Sequence, residues 1–182
     1  MSDIVIDADI MRSAGASEHP HSSNARKVLD AIQDAGHRMV QCAPLKAEHD
    51  RHQSRYSSLW RTKMISRKQW HHWTYEEDQD LRKILVEPLP ASAIGKKRAV
   101  LKDAHLLEAA AATGRRIVSK DATARNLFRL ACPHLNVHKS ILWGDLTGSP
   151  ANAIQWVKDG CAERTDFRLC PQAAKRIVKK GR

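Results

Sequence analysis

The chain has 182 residues, the length of one domain or of one domain with an appendage. Its 31 Lys and Arg residues exceed its 20 Asp and Glu residues, for a net charge of +11, yet 42% hydrophobic residues exclude a disordered basic tail. No apolar run reaches the roughly 18 residues of a membrane span, and the first residues lack the features of a signal peptide. We therefore expect a soluble, cytoplasmic protein whose four cysteines, none of them in a C-x-x-C pair, stay reduced.

The first part of the chain alternates short β-branched runs with amphipathic ones. Residues 4–6 read Ile-Val-Ile and predict a buried strand that ends at Asp7. A helix is expected over residues 22–35, with serines at its start and a glycine after its end. Residues 38–42 predict a second strand, and Pro44 opens a helix that continues into a basic, aromatic segment.

The second part repeats this alternation. A capping-box pattern predicts a helix over residues 75–86, and an Ala-rich run predicts a long helix over residues 97–113. Residues 117–118 predict a strand that leads to Asp121, and residues 137–142 predict a fourth strand. Further helices are expected over residues 122–131, 150–159 and 171–180.

Strands that alternate with helices predict an α/β fold with a central, largely parallel sheet of four or five strands. We expect one domain over residues 1–148 and a basic helical extension over residues 149–182. In parallel sheets, function gathers at the carboxyl ends of the strands. Asp7 and Asp121 both follow predicted strands, although either acid alone is also explained as a helix cap or turn former.

Several carboxylates at one sheet edge repel one another, and a divalent cation neutralises them. Oxygen ligands select hard ions, so the expected metal is Mg²⁺ or Mn²⁺, not zinc. Glu48 and Asp103 are the other candidate ligands, and Asp103 alone is also explained as a favourable charge at a helix N-terminus. Glu108, five residues further along the same helix, is expected to face elsewhere.

Three segments resemble one family. The stretch KDAHLLEAAAATGRRIVSKD resembles the most recognisable part of PIN domains, where an acid opens an Ala-rich helix and the next strand ends in Ser or Thr, any residue, then Asp. IVIDADIMRSAG is similar to the family's opening strand and first acid, and QCAPLKAEH to its second strand and glutamate helix. The resemblance covers about residues 3–145. It implies a PIN-like three-layer α/β/α fold and a metal-dependent nuclease with an acidic quartet.

The family's functional positions map onto residues of this chain. The resemblance implies that four acids bind Mg²⁺ or Mn²⁺ and are catalytic: Asp7, Glu48, Asp103 and Asp121. Ser119 takes the place of the small hydroxyl residue before the last acid. Asp9 stands where the family usually has Asn or Ser, and it either adds a ligand or replaces a hydrogen-bonding neighbour.

Two segments carry the whole excess of positive charge, and they favour RNA as the partner. Residues 51–73 hold six basic and no acidic residues, and residues 162–182 hold seven basic and two acidic ones. The first segment, expected to be helical, also carries aromatic residues, a mixture that suits single-stranded nucleic acid. Its expected RNA-binding residues are Arg51, Arg55, Tyr56, Arg61, Lys63, Arg67 and Lys68. The alternative is a solvated helix whose core face is formed by Trp60, Met64 and Ile65.

The predicted function is therefore a metal-dependent endoribonuclease. A single small domain of this kind most resembles the VapC-type toxins of bacterial toxin–antitoxin pairs. This resemblance implies a structured RNA such as tRNA as the substrate. It also implies an antitoxin protein as a partner and a homodimer as a possible assembly. Two alternatives remain open. One is a catalytically silent RNA-binding module, and the other is a PIN-like nuclease that acts in RNA maturation or on structured nucleic acid.

Overall fold

The computed structural model describes residues 1–171, so the helix predicted over residues 171–180 lies, apart from Pro171, outside the described residues. The strands are β1 (Asp3–Ile6), β2 (Arg38–Gln41), β3 (Trp70–His72), β4 (Arg116–Ser119) and β5 (Leu142–Asp145). The helices are α1 (Ala8–Ser13), α2 (Pro20–Asp34), α3 (Ala43–His52), α4 (Arg55–Ser66), α5 (Gln79–Val86), α6 (Ile94–Lys102), α7 (Ala104–Ala112), α8 (Ala122–Leu130) and α9 (Pro150–Lys158). None of these described helices is long and apolar enough to cross a membrane.

The five strands form one all-parallel sheet in the order β3-β2-β1-β4-β5. The chain starts at the central strand β1, builds β2 and β3 on one side, and then returns to build β4 and β5 on the other side. The direction of winding therefore reverses between β1 and β4. In open parallel sheets, the crevice at the carboxyl ends of two such strands is the usual place for a ligand.

Helices cover both faces of the sheet because successive strand residues point to opposite sides. Val5 of β1 belongs to a core cluster with residues of α3 and α5 to α8, whereas Ile4 and Ile6 belong to a second cluster with α1, α2, α4 and α9. The prediction of an α/β fold with a parallel sheet is confirmed. Trp156 of α9 is buried in the second cluster beside residues of α2, so α9 shares its core with the residues before the expected boundary at 148.

Two strands differ from the sequence prediction. Residues 70–72, expected to be helical, form the edge strand β3, which pairs with β2. Because its side chains are exposed or half-buried, the strand has no apolar alternation that would reveal it in the sequence. The fourth predicted strand, over residues 137–142, is wrong in position. Val137–Ser140 forms a 3₁₀ helix and β5 begins at Leu142, where Gly144 lets the Trp156 ring approach so closely that a Cβ would lie 3.0 Å from it.

Two helix predictions also need correction. The helix expected over residues 75–86 begins at Gln79, because Asp78, and not Thr74, caps it by accepting a hydrogen bond from the Leu81 N–H. The long helix expected over residues 97–113 is two helices, α6 and α7, which meet at Asp103. No glycine or proline marks this break in the sequence.

One pair of cysteines overturns the expectation of reduced thiols. Cys132, after α8, and Cys170, at the end of the described chain, are joined by a disulfide across 38 residues. Their wide separation in sequence forms no motif, so only the folded chain brings them together. Cys42 and Cys161 are free and buried.

Candidate functional site

Three residues at the ends of β1 and β4 form a continuous hydrogen-bonded chain, which we call the strand-borne half of the site: Asp7, Ser119 and Asp121. The Ser119 hydroxyl donates to Asp7 Oδ2 at 2.6 Å, although 112 residues separate the two in sequence. The Asp121 backbone N–H in turn donates to Ser119 Oγ at 2.9 Å. The two strands pair directly, so the chain of bonds lies at the point where the winding of the sheet reverses.

Both aspartates of this half also cap helices. Asp7 Oδ1 accepts a hydrogen bond from the Asp9 N–H at 3.2 Å at the start of α1, and Asp121 Oδ1 accepts one from the Ala124 N–H at 2.8 Å at the start of α8. The capping alternative is therefore confirmed for both residues. A cap fixes the orientation of a carboxylate, and a carboxylate that is held in this way can still offer lone pairs to a ligand.

Asp7 is the most buried of the four candidate acids. Burial raises the pKa of Asp7 to about 6, and the charges of Asp9 and Asp103 act in the same direction. The hydrogen bond from Ser119 opposes this rise. A buried carboxylate that is further disfavoured by neighbouring carboxylates is a site at which a bound cation gains free energy.

Of the other two acids, Glu48 lies on α3 and Asp103 lies between α6 and α7, and both are close to basic side chains. We call Glu48, Asp103, Lys102 and His105 the helix-borne half. Lys102, the last residue of α6, contacts the Asp103 carboxylate and lies 3.9 Å from Glu48 Oε1. His105 Nε2 lies 3.4 Å from Glu48 Oε2, which is a close electrostatic contact and not a well-aligned hydrogen bond. Glu48 reaches this group from α3.

The ionisable groups of this half shift one another's pKa. The contact with His105 lowers the pKa of Glu48 in spite of its partial burial, and Lys102 adds to this effect. Burial raises the pKa of Asp103, while Lys102 opposes the rise. His105 Nδ1 is 3.0 Å from the Lys102 carbonyl, so it donates there, and Nε2 faces Glu48. Burial lowers the pKa of His105, but Glu48 outweighs burial and the net shift is upward.

The four candidate acids offer the type of ligand atom that a hard cation prefers. All four candidate acids offer carboxylate oxygens, which Mg²⁺ and Mn²⁺ prefer. Lys102 already places one positive charge among them, and its pKa is raised because the attraction of Asp103, Glu48 and Asp7 outweighs its burial. Within residues 1–171, however, no group of three or more His, Cys, Asp or Glu side chains is placed to hold a metal ion. Lys102, whose side chain is 63% exposed, forms an ion pair with Asp103, so a cation at Asp103 would compete with this ammonium group.

Two further acids behave differently from the four. Asp9 lies beside Asp7 but forms an ion pair with Arg12 at 2.7 Å on the exposed side of α1. Glu108 faces away from the site, as expected, and is buried against Arg82 Nε at 2.8 Å and the Tyr75 hydroxyl at 2.8 Å.

The predicted RNA-binding segment divides into exposed and buried residues. Its exposed basic residues are Arg51, Arg55, Lys63, Arg67 and Lys68. Arg61 is buried and donates from Nη1 to Asp50 and to Gln53, at 2.8 Å each, so it is not presented to solvent. Tyr56 donates its hydroxyl to Asp30. Trp60 and Met64 pack in the core as the alternative interpretation expects, whereas Ile65 is 43% exposed.

Sequence reasoning missed three residues of this sheet edge: Lys102, His105 and Asp145. Asp145 ends β5 opposite Ser119, and its Oδ1 accepts a hydrogen bond from the Thr147 N–H at 2.7 Å. The signal for Asp145 was present, because Leu-Trp-Gly-Asp ends on an acid just as Ile-Val-Ile-Asp does. The other two carried no signal, since their partner Glu48 is more than 50 residues away in sequence.

Comparisons with family models, curated proteins and solved structures give no match to this chain.

Proposed function

We propose that this protein is a Mg²⁺- or Mn²⁺-dependent endoribonuclease. The observation that carries the proposal is the hydrogen-bonded chain from Asp7 through Ser119 to Asp121, at the carboxyl ends of β1 and β4, with Asp103 close enough to raise the pKa of Asp7. This position is the winding reversal at which parallel sheets bind ligands. The resemblance to PIN domains assigns the same residues to a metal site.

The chain's own residues have separable roles in this proposal. Carboxylates of Asp7, Glu48, Asp103 and Asp121 would hold the cation. A divalent cation supplies a Lewis acid that activates water and stabilises the charge developing on a phosphodiester. Ser119 orients Asp7 through its 2.6 Å hydrogen bond, and the cap at α8 orients Asp121. A cation held by Asp103 and Glu48 would displace Lys102, which contacts Asp103 and lies 3.9 Å from Glu48.

RNA is the proposed substrate because exposed basic residues are continuous with the helix that carries Glu48. α3 ends at His52, and α4 follows after two residues with Arg55, Lys63 and, just beyond its end, Arg67 exposed. Phosphate groups bind such surfaces through counterion release. A path along α4 would lead a strand of RNA towards the acids.

The test is cleavage of labelled tRNA and of single-stranded RNA by the purified protein. We expect cleavage with Mg²⁺ or Mn²⁺, none with EDTA, and full cleavage with a zinc-selective chelator, because an all-oxygen site does not depend on zinc. Full activity in EDTA would contradict the proposal. Metal-independent binding of RNA without any cleavage would instead support the silent RNA-binding alternative.

Within this proposal, the protein acts as the toxin of a toxin–antitoxin pair. Its induced expression should then arrest bacterial growth, and expression of the Asp7→Asn variant at the same level should not. Coexpression of a small protein encoded next to it should relieve the arrest. Normal growth at high levels of the active nuclease would favour a role in RNA maturation.

A further inference from the structure

A cavity of about 570 Å³ lies beside the disulfide that joins Cys132 to Cys170. It is at the opposite edge of the sheet from the acids, because Arg168 in its wall forms an antiparallel bridge with Leu142, the first residue of β5. Both cysteines line the cavity, and the rest of its wall consists of two prolines and three basic residues: Pro133, Pro171, Arg129, Lys139 and Arg168. Drug-sized ligands occupy pockets of about 300–1,000 Å³, so the cavity is large enough for a small molecule.

The cavity has an excess of positive charge, because its wall contains three cations and no acid. Among the described residues, no carboxylate pairs with Arg129 or Lys139; Arg129 Nε and Lys139 Nζ contact backbone carbonyl oxygens at 3.0 Å and 3.5 Å. Arg168 does form an ion pair with Glu163, but Glu163 is exposed and lies outside the cavity wall. A small anion that enters the cavity is therefore attracted to it.

The next part of the chain does not complement this charge. Residues 172–182, which follow the cavity wall in sequence, contain five basic residues and no acidic one. An anionic ligand has to come from outside the chain. The disulfide in the wall indicates its chemistry, because an anion that also carries a thiol would meet an S–S bond with which a thiolate exchanges.

The segment that carries Cys170 is fixed by more than the disulfide. The Leu169 N–H donates to the Ile141 carbonyl at 2.8 Å, and the Leu169 carbonyl accepts from Arg129 Nε at 3.0 Å. The Leu169 side chain is fully buried. Cleavage of the S–S bond would therefore leave the two thiols as neighbours, so that oxidation could rejoin them. A disulfide held in this way is suited to repeated opening and closing.

We propose that the Cys132–Cys170 disulfide is a reversible redox site that anionic thiols of the glutathione class reduce from the basic cavity. The proposal does not depend on the proposed nuclease activity. Cys132 is half-buried whereas Cys170 is buried, so Cys132 carries the sulfur that the incoming thiolate attacks.

Reduction takes two thiol molecules and two steps. The thiolate of the first attacks Cys132 Sγ, the S–S bond of the protein breaks, and Cys170 leaves as a thiolate that takes up the proton of the attacking thiol. The thiolate of the second attacks the small-molecule sulfur of this mixed disulfide and releases Cys132, which is protonated in the same way. Two electrons pass to the protein, and the two thiols end as their own disulfide. The basic residues of the cavity favour the departing thiolates.

Alkylation of the cysteines and mass spectrometry test the reversibility. The oxidised protein has two free cysteines, so two labels per chain are expected when it is denatured and alkylated. Incubation of the folded protein with reduced glutathione should raise the number to four, and oxidised glutathione should return it to two. Circular dichroism should stay unchanged throughout. A disulfide that glutathione reduces only after the protein is denatured would overturn the proposal.

The charge of the thiol tests the role of the cavity. Glutathione, whose thiolate is net negative, is compared with cysteamine, whose ammonium group cancels the charge of its thiolate, at equal thiolate concentrations. Each reduction rate is divided by the rate for a small neutral disulfide, which removes the difference in intrinsic reactivity. We expect a preference for glutathione of at least about fivefold. The absence of a preference would overturn the proposal.

Two variants assign the preference to the cavity. Lys139→Glu should lower the preference for glutathione about tenfold, because it reverses a charge in the wall. Lys27→Glu is the matched control, since Lys27 is also exposed but lies on α2, on the other face of the sheet. Screening should limit its effect to about twofold. Equal effects of the two variants would show that the net charge of the protein selects the thiol, and would overturn the proposal.

Discussion

The two halves of the acidic site are built differently. Asp7 and Asp121 follow strands of the sheet and are fixed by a serine hydroxyl and by backbone N–H groups. Glu48 and Asp103 lie on or between helices and are close to the basic side chains of Lys102 and His105. Neutral donors orient a carboxylate and leave its charge in place, whereas a neighbouring ammonium group such as that of Lys102 offsets the charge. The carboxylates of the strand-borne half are therefore free of cationic partners, whereas in the helix-borne half a metal ion would have to replace the ammonium group of Lys102.

The largest expected difference between the halves is in catalysis. Asp7→Asn and Asp121→Asn should each lower single-turnover cleavage about 10³-fold, because each removes a charged group that the protein holds in place. Glu48→Gln should lower it only about tenfold, since Glu48 shares its charge with His105 and is 24% exposed, so that water can replace it. Substantial cleavage by both Asn variants would contradict the nuclease assignment. If Glu48→Gln lowered the cleavage rate as much as the Asn variants do, the two halves would not differ in catalysis.

Stability against pH tests the electrostatics of the strand-borne half. The pKa of Asp7 is raised from 3.8 to about 6, so its proton stabilises the fold below pH 3.8 and this contribution is lost as the pH rises through 6. In EDTA at pH 7.5, Asp7→Asn should therefore be more stable than the wild type by roughly 1–3 kcal/mol, and the advantage should shrink towards pH 4.5.

Thermal or urea unfolding of the two proteins across this pH range provides the measurement. The difference in unfolding free energy between the wild type and the variant reports on Asp7, because other titrating groups contribute equally to both proteins. One such group is His49, because burial lowers its pKa to about 4. Saturating Mn²⁺ should stabilise the wild type and reverse the order. A stability difference independent of pH would show that Asp7 is not the titrating group.

Lys102 tests the helix-borne half. Lys102→Met should tighten Mn²⁺ binding about tenfold, because the cation no longer competes with an ammonium group in contact with Asp103. Lys96→Met is the matched control: it removes the same charge from the same helix six residues away, roughly 9 Å along the axis. Screening should limit its effect to about twofold. Isothermal titration with Mn²⁺ compares the three proteins, and equal affinities for the two variants would exclude competition by Lys102.

The smallest effects are expected on the surface that continues from the helix-borne half. Alanine at Arg55, Lys63 and Arg67 should weaken RNA binding and reduce the slope of log affinity against log salt by about 0.7 for each phosphate group that the protein no longer binds. Arg61→Ala should leave the slope unchanged and instead destabilise the fold by about 1–3 kcal/mol, because it strips Asp50 and Gln53 of a buried donor. An unchanged slope in the triple variant would show that RNA follows another path.

Much of the fold and part of the site followed from local sequence. The β-branched runs of β1 and β4 are buried on both faces, which is the pattern of central parallel strands, and each is followed by an aspartate. The rule that parallel strands present their carboxyl ends at one edge was sufficient to expect Asp7 and Asp121 together. β3 escaped prediction because its exposed side chains carry no apolar pattern.

Local sequence was enough to identify the aspartates that follow β1 and β4, because apolar periodicity and the placement of glycine and proline act within a few residues. The surroundings of those residues depend instead on packing between distant elements. The break at Asp103 brings Lys102 against Glu48 of a distant helix, α4 buries Arg61 while leaving Lys63 exposed, and α8 presents Arg125 to the end of β5. These surroundings depend on which elements the fold packs together. Packing between distant elements therefore determines which charged residues form pairs, and the local sequence does not encode these pairs.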